Sequence, residues 1–341
     1  MHQRSVSPSY AAAELEAREY RTSHDFRRAA SSARVAWEMA RNDGDLTAAW
    51  AMRLFQAENL LDAGDFEACA ELAAELVNGA TGAKAEDARG KANILLAKAR
   101  QGAGMLGQAA DAARMAASLS SGAGDVEDNV KARQALIAAL AESGRLEEAW
   151  NESLLLADDI SNEVDDQLVG KAYWVIGNVA FLCNKVIEGL EYHELAAETF
   201  SPARNLDIWA KFNKASAAMR LAADVADAET LRCIERAELA TDVIGGTEED
   251  HILLKLNRGH WNFLAGDPAA AVETVGSIFP VAEKISPQIL GEAYLLLGRS
   301  HGALGDTAEA RKNLLEAADY FEKSGAPQRA EQALEFLRDV P

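Results

Sequence analysis

Apolar positions recur along most of the chain at three- and four-residue spacing, the period of one helix face, in blocks separated by short polar turns. Tyr173-Trp174-Val175-Ile176 and Tyr294-Leu295-Leu296-Leu297 are two such blocks. The turns between them are evenly placed. Ala63-Gly64-Asp65-Phe66, Ala103-Gly104-Met105-Leu106 and Ser143-Gly144-Arg145-Leu146 set their glycines 40 residues apart. Two further steps of 40 reach Asn184 and Asp224, residue types that tolerate turn geometry, and one step back reaches His24, followed by Asp25-Phe26. Ala265-Gly266-Asp267-Pro268 and Leu304-Gly305-Asp306-Thr307 continue the series at intervals of 42 and 39. Each unit reads as helix A, turn, helix B. Eight turns at one period predict about eight units.

Five residues after most turns stands a small residue: Ala29, Cys69, Ala109, Ala149, Gly189, Ala271 and Ala310. Seven residues later come Ala36, Leu76, Ala116, Leu156, Ala196, Ile278 and Ala317. Small side chains at fixed register let helix axes approach, and the larger apolar ones fill the space between. Tyr294, Leu297, Gly298, Gly305, Ala310, Leu314 and Ala317 follow the tetratricopeptide (TPR) pattern, as do Tyr173, Ile176, Gly177 and Ala196 with Asn184 at the turn. The chain therefore resembles the tetratricopeptide repeat family over roughly residues 9–326, with a period near 40 in place of 34. The unit from Leu206 to Thr241 keeps Trp209 but is irregular around its turn. The resemblance implies an all-α, right-handed superhelical solenoid whose A helices line the inner, concave wall. Residues 1–8 read as a flexible tail, 9–326 as the superhelix, and 327–341 as a C-terminal capping helix and tail, with Ala330, Ala333, Leu334 and Leu337 on one face.

Composition agrees with a helical chain: prolines number only 7, and aromatics make up 6%. A net charge of −20 repels phosphate backbones and anionic membranes, which argues against direct nucleic-acid or membrane partners. The polar N-terminus has no apolar signal segment, so a cytoplasmic location is expected. Cys69, Cys183 and Cys233 form no CxxC pair and read as small buried hydrophobes.

Candidate chemistry is scarce. Gly102 to Gly107 spell GxGxxG, but they follow a helix and contain a repeat turn, which is the wrong setting for a dinucleotide fingerprint. The six histidines lack zinc-ligand spacing, and His193 and His301 read as core or boundary residues. Acidic clusters at Asp158-Asp159, Asp165-Asp166 and Glu248-Glu249-Asp250 read as solvated loops without the EF-hand's alternation. No nucleophile elbow or Cys–His arrangement is present. We expect no catalytic residue, no metal and no cofactor.

A binding surface is the stronger expectation. Thirteen residues before the turn, four consecutive units place Lys91, Lys131, Lys171 and Lys211, in a chain with only 12 lysines. Ten before come Gln134, Trp174 and Lys214; six before, Lys98, Asn178, His260 and Arg299; three before, Gln101, Phe181 and Phe263. If these positions face the groove, lysines hold a ligand's carboxylates, while mid-helix asparagines such as Asn178, Asn213 and Asn257 bond an extended peptide. A plainer account also stands. Asp87, Glu127 and Asp207 lie four residues before ladder lysines, an arrangement worth about 0.3–0.5 kcal/mol to a helix, although Gln167 breaks the series.

The whole-chain array is similar to the sensor domains of bacterial peptide-pheromone regulators, the Rap and PlcR-like group. That resemblance implies a regulator whose groove takes a peptide or an acidic, carboxylate-bearing protein tail. Only eight residues precede the first unit, too few for the helix-turn-helix of the DNA-binding members, so either such a domain lies outside this sequence or the protein is expected to act by protein contact alone. The alternative is a structural adaptor or assembly scaffold acting through convex or terminal surfaces. A homodimer is compatible with either.

Overall fold

The computed structural model describes residues 7–80, 85–120, 126–160, 164–280 and 285–341. Among the described residues there are seventeen α-helices and no strand. They form eight consecutive pairs and a final single helix. The pairs are α1 (Pro8–Thr22) and α2 (Phe26–Asp43), α3 (Leu46–Asp62) and α4 (Phe66–Gly79), α5 (Ala85–Gly102) and α6 (Leu106–Ser120), and α7 (Val126–Glu142) and α8 (Leu146–Asp159). Next come α9 (Asp166–Leu182) and α10 (Val186–Thr199), α11 (Leu206–Ala222) and α12 (Ala228–Ile244), α13 (Glu248–Leu264) and α14 (Pro268–Gly276), and α15 (Pro287–Ala303) and α16 (Thr307–Lys323). The last helix is α17 (Pro327–Asp339). The expected all-α repeat array is the observed one. Its residues fall into two compact units, Met1–Cys183 with α1–α9 and Asn184–Pro341 with α10–α17.

The turn between helices A and B is the same device each time. Gly64, Gly104, Gly144, Gly266 and Gly305 have φ between 75° and 88°, and His24, Asn184 and Asp224 hold φ of 58–61° where the series lacks glycine. The left-handed residue lets two orphan carbonyls of helix A be satisfied. At the second turn, Gly64 N–H donates to Leu61 at 3.0 Å and Asp65 N–H to Leu60 at 2.9 Å. The next residue then caps helix B. Asp25, Asp267 and Asp306 each accept a hydrogen bond from a backbone N–H in the first turn that follows. The sixth turn is irregular because Asp224 is followed by three residues before α12, which is capped by Asp227 through the Thr230 N–H at 2.8 Å.

The small positions lie where the helices meet. Ala29, Cys69, Ala109, Ala149, Ala271 and Ala310 are fully buried, as are Ala36, Ala116, Leu156, Ala196, Ile278 and Ala317. Gly298 shows how close the approach is: a Cβ there would lie 2.6 Å from Leu314 Cγ and 3.1 Å from the Leu314 backbone nitrogen. Within the first unit, α3 packs on α5, α5 on α7 and α7 on α9; within the second, α11 packs on α13 and α13 on α15. Helix B of one repeat instead leans on helix A of the next, as α4 does on α5 and α6 on α7. The A helices therefore make a continuous layer inside each unit.

Several loop expectations need correction. Asp165 is the N-cap of α9, and Glu248 to Asp250 form the first turn of α13, where negative charge complements the helix dipole. Asp159 accepts from Arg133 and Asn129 rather than standing in solvent. Cys69 and Cys233 are buried as expected, but Cys183 is only half-buried, its thiol donating to Leu146 O at 3.5 Å. The GxGxxG run is the α5–α6 turn itself, with Gly104 at φ 75° and Gly102 against the Phe66 ring. Among the described residues, no helix is long and apolar enough to cross a membrane.

Two tests follow from the turns and the helix contacts. Gly64 has open space around its Cβ position, so Gly64→Ala isolates the backbone term. It should cost about 1 kcal/mol in chemical denaturation, the left-handed penalty less the unfolded-state gain. Gly298→Ala should cost roughly 1–3 kcal/mol, because the buried Leu314 must shift. A third test concerns Asp250, which closes a capping box with Thr247 and pairs with Lys214 across α11 and α13. Partial burial raises its carboxyl pKa, but the hydrogen bonds from Lys214 and Thr247 outweigh this and hold it at about 2. Its stabilisation is thus complete above the unfolded pKa near 3.8 and lost as pH falls through about 2. Asp250→Asn should flatten the pH dependence of unfolding free energy across that window. The effect is modest, since the pair is partly solvated.

Candidate functional site

The lysines thirteen residues before the turn divide into paired and unpaired members. Lys91 lies 3.3 Å from Asp87 and 3.6 Å from Asp128, and Lys131 lies 3.1 Å from Glu127 and 3.6 Å from Asp128. Asp128, largely buried, thus joins two repeats through both ammonium groups. Lys211 pairs with Asp207 at 2.8 Å. Three rungs of the ladder are therefore spent on local and inter-repeat pairing, which leaves little free charge for a ligand. Lys171, with Gln167 in place of the carboxylate, is exposed and has no ion pair among the described residues.

One and two turns further along helix A the outcome differs. Lys214 is committed to Asp250, and Gln134 donates to Leu168 O at 3.1 Å, so both brace neighbouring A helices. Trp174 and Asn178 are half-buried on α9. Lys98 projects into a groove of about 380 Å³ in the first unit, shared with Glu58, Asp62, Lys91, Asp128 and Lys131. Its surface is open, yet protein crowds it on several sides. This crowding, followed by the charges of Lys171 and Lys131, holds its pKa below the ordinary lysine value. No carboxylate of the described residues lies within ion-pair distance of it. Glu58, six residues before its own turn, is likewise pushed up by burial. The groove is mixed in charge, since Glu58, Asp62 and Asp128 line it beside the lysines.

In the second unit, His260 and Arg299 line one pocket of about 480 Å³ with Asp224, Asn257, Glu292 and Arg329. Arg299 lies 4.7 Å from the Phe263 ring centroid and 4.9 Å from that of Phe336. It forms no hydrogen bond or ion pair among the described residues. Burial disfavours its charged form. His260 Nε2 is buried without a hydrogen-bond partner. Burial first, and then the Arg299 charge, depress its pKa to about 4, so it is neutral at pH 7.

The asparagines do less than expected. Asn59, Asn93 and Asn213 are buried and donate to the carbonyls of Phe55, Arg89 and Trp209, four residues back. Asn257 donates to Lys214 O at 3.0 Å while lining the second-unit pocket. His193 is a core residue, its Nδ1 2.9 Å from Ser216 Oγ. The residues missed from sequence are Glu58, Asp128, Glu292, and Arg329 and Phe336 from α17. The last two share a face of α17 at seven-residue spacing, a signal that helical periodicity carries.

No protein-family model matches the chain, and no curated protein does. Among solved structures, it is similar to the apo form of RapI, with 12% identity and a TM-score of 0.51 over 85% of this chain and 97% of that one. It is also similar to aspartyl phosphate phosphatase F from Bacillus subtilis, with 12% identity and a TM-score of 0.55 over 91% of this chain and 75% of that one. At such identity the likeness is one of fold: the chain is an all-α, tetratricopeptide-like repeat protein built on the same plan as RapI.

Proposed function

We propose that this protein is a non-catalytic bacterial, cytoplasmic regulator that binds a peptide or an acidic protein tail on the surface of its A helices. The observation that carries the reading is the row six residues before each turn. There Lys98 in one unit and Arg299 in the other are cations without a carboxylate partner, crowded by protein. A crowded charge without a counter-charge is disfavoured, and a carboxylate-bearing ligand would stabilise it. Lys171 adds free positive charge in the first unit. The fold likeness to RapI supports a regulator, in line with the resemblance drawn from the repeats.

An adaptor reading has one specific observation behind it. On α12, a B helix, Leu239 and Val243 are each 67% exposed and four residues apart, so they share a face. A partner docking there would need no small ligand. A homodimer would be compatible with both readings.

Partner capture from native lysate, with the wild-type chain and single variants, separates them. Lys98→Glu should reduce retention of the bound partner at least roughly tenfold, the loss of one charge-assisted contact and its replacement by repulsion. Lys211→Glu should leave it unchanged, because that lysine is exposed and already paired. Retention that survives Lys98→Glu but is lost in Leu239→Glu would replace the groove with the α12 face.

A further inference from the structure

The pocket of the second unit is bounded by α11, α13, α15 and α17, and its polar groups are unequally satisfied. Arg329 is fully engaged, with Nε on Glu292 at 2.9 Å, Nη2 on the same carboxylate and Nη1 on Gln332. Arg299 is not. Its guanidinium sits between the Phe263 and Phe336 rings, which hold its position by cation–π attraction. Its N–H donors bond nothing among the described residues. His260 adds a second orphan, since its Nε2 is buried without a partner. Buried polar atoms in folded proteins nearly always have partners, so His260 Nε2 is an exception, and the Arg299 donors beside it, not themselves fully buried, are the groups an anionic ligand entering the pocket would meet.

The remaining walls define what that acceptor is attached to. Leu221, Leu253, Leu256, Leu295 and Leu296 line the same pocket. The ionisable groups facing His260 are Asp224 from the α11–α12 turn, Glu292 and Arg299 from α15, and Arg329 from α17. These four charges cancel. A dianion such as a phosphate would bring more charge than one free guanidinium and a neutral imidazole can balance. A single carboxylate on an apolar group matches both the charge and the leucines.

We propose that this pocket is a receptor for one carboxylate carried on an apolar group, as at the C-terminus of a peptide ending in an aliphatic residue. Arg299 takes the carboxylate oxygens in its planar fork, His260 supplies the second donor, and the leucines receive the side chain. The inference rests on the peptide-binding reading above, and narrows it to a terminal residue of stated chemistry. Bound negative charge also favours protonated His260, so ligand raises the His260 pKa from about 4.

The test uses the full chain labelled at the histidine ring nitrogens, with His260 assigned by His260→Asn. N-acetyl-leucine, N-acetyl-leucinamide and N-acetylglutamate α-amide are titrated separately. N-acetyl-leucine should shift the His260 signals saturably in the millimolar range that so small a ligand reaches, and should raise that imidazole's pKa. The leucinamide should bind at least roughly tenfold more weakly, for want of the charge-assisted bonds. Tighter binding of the glutamate probe than of N-acetyl-leucine would overturn the terminal, aliphatic assignment in favour of an internal acidic side chain. Arg299→Gln should lose the response, and Arg299→Lys should recover part of it. His260→Asn, read by calorimetry, keeps the test open if Arg299→Gln does not fold, and should weaken N-acetyl-leucine several-fold.

Equal binding of acid and amide overturns the proposal, as does no saturation by N-acetyl-leucine at roughly 50 mM. Binding untouched by a folded Arg299→Gln does the same. The two readings fail separately. N-acetyl-leucine that binds, with no peptide or protein retained from lysate, leaves the site and removes the regulator reading. Capture that depends on Lys98 and is indifferent to both Arg299→Gln and His260→Asn does the reverse.

Discussion

A residue at positive φ closes helix A in each repeat, and much of the molecule depends on the geometry it imposes. The left-handed step and its two backbone hydrogen bonds fix the direction in which helix B departs. Helix B then returns along helix A at one register, so the fifth residue after the turn meets its partner at close range. Only a small side chain fits there. Ala29, Cys69, Ala109, Ala149, Ala271 and Ala310 are buried for that reason, and Gly298 opposite Leu314 is the limiting case. Once the helix pair is set, the rows of helix A that remain uncovered are set with it.

Those rows carry charge in two conditions. The outermost row is mostly paired, through Asp87, Glu127, Asp207 and the shared Asp128, and its role is to join turns and repeats. In the row six residues before the turn, Arg18 is paired with Glu14, whereas Lys98 and Arg299 are crowded by protein and lack such partners. A lysine near a helix start has a carboxylate four residues back and water around it. A cation in mid-helix faces the next A helix, and it keeps or loses a partner according to what that helix presents.

The periodic turns were legible without coordinates, because positive φ restricts residue choice to glycine and a few substitutes. Asn184, Asp224 and His24 could be placed by spacing alone, and all three adopt the left-handed conformation. Part of the candidate site was legible too: Lys98, His260 and Arg299 fall on a groove row by counting from the turn. Glu58 and Glu292 fall on such rows by the same count, but which of these side chains meet was not legible. Glu58 and Asp128 reach Lys98 from adjacent repeats, Glu292 reaches the His260 pocket from the next one, and Arg329 and Phe336 come from a helix whose apolar face alone suggested a cap. Lys214, on a groove row, and Asn213 beside it are consumed by the Asp250 carboxylate and the Trp209 carbonyl, which spacing from the turn does not reveal.

The one-dimensional pattern by itself determined the helix pairs, their number and their small contact positions. Each of these depends on interactions within some 40 residues and repeats along the chain. Four-residue spacing already marked the Lys91, Lys131 and Lys211 pairs; tertiary structure alone decided the pairs between repeats, as Lys214 with Asp250 and Arg329 with Glu292, and left Lys98 and Arg299 without one. Pairing depends on distances of a few ångströms between residues from different repeats, and a pattern that specifies register does not specify those distances.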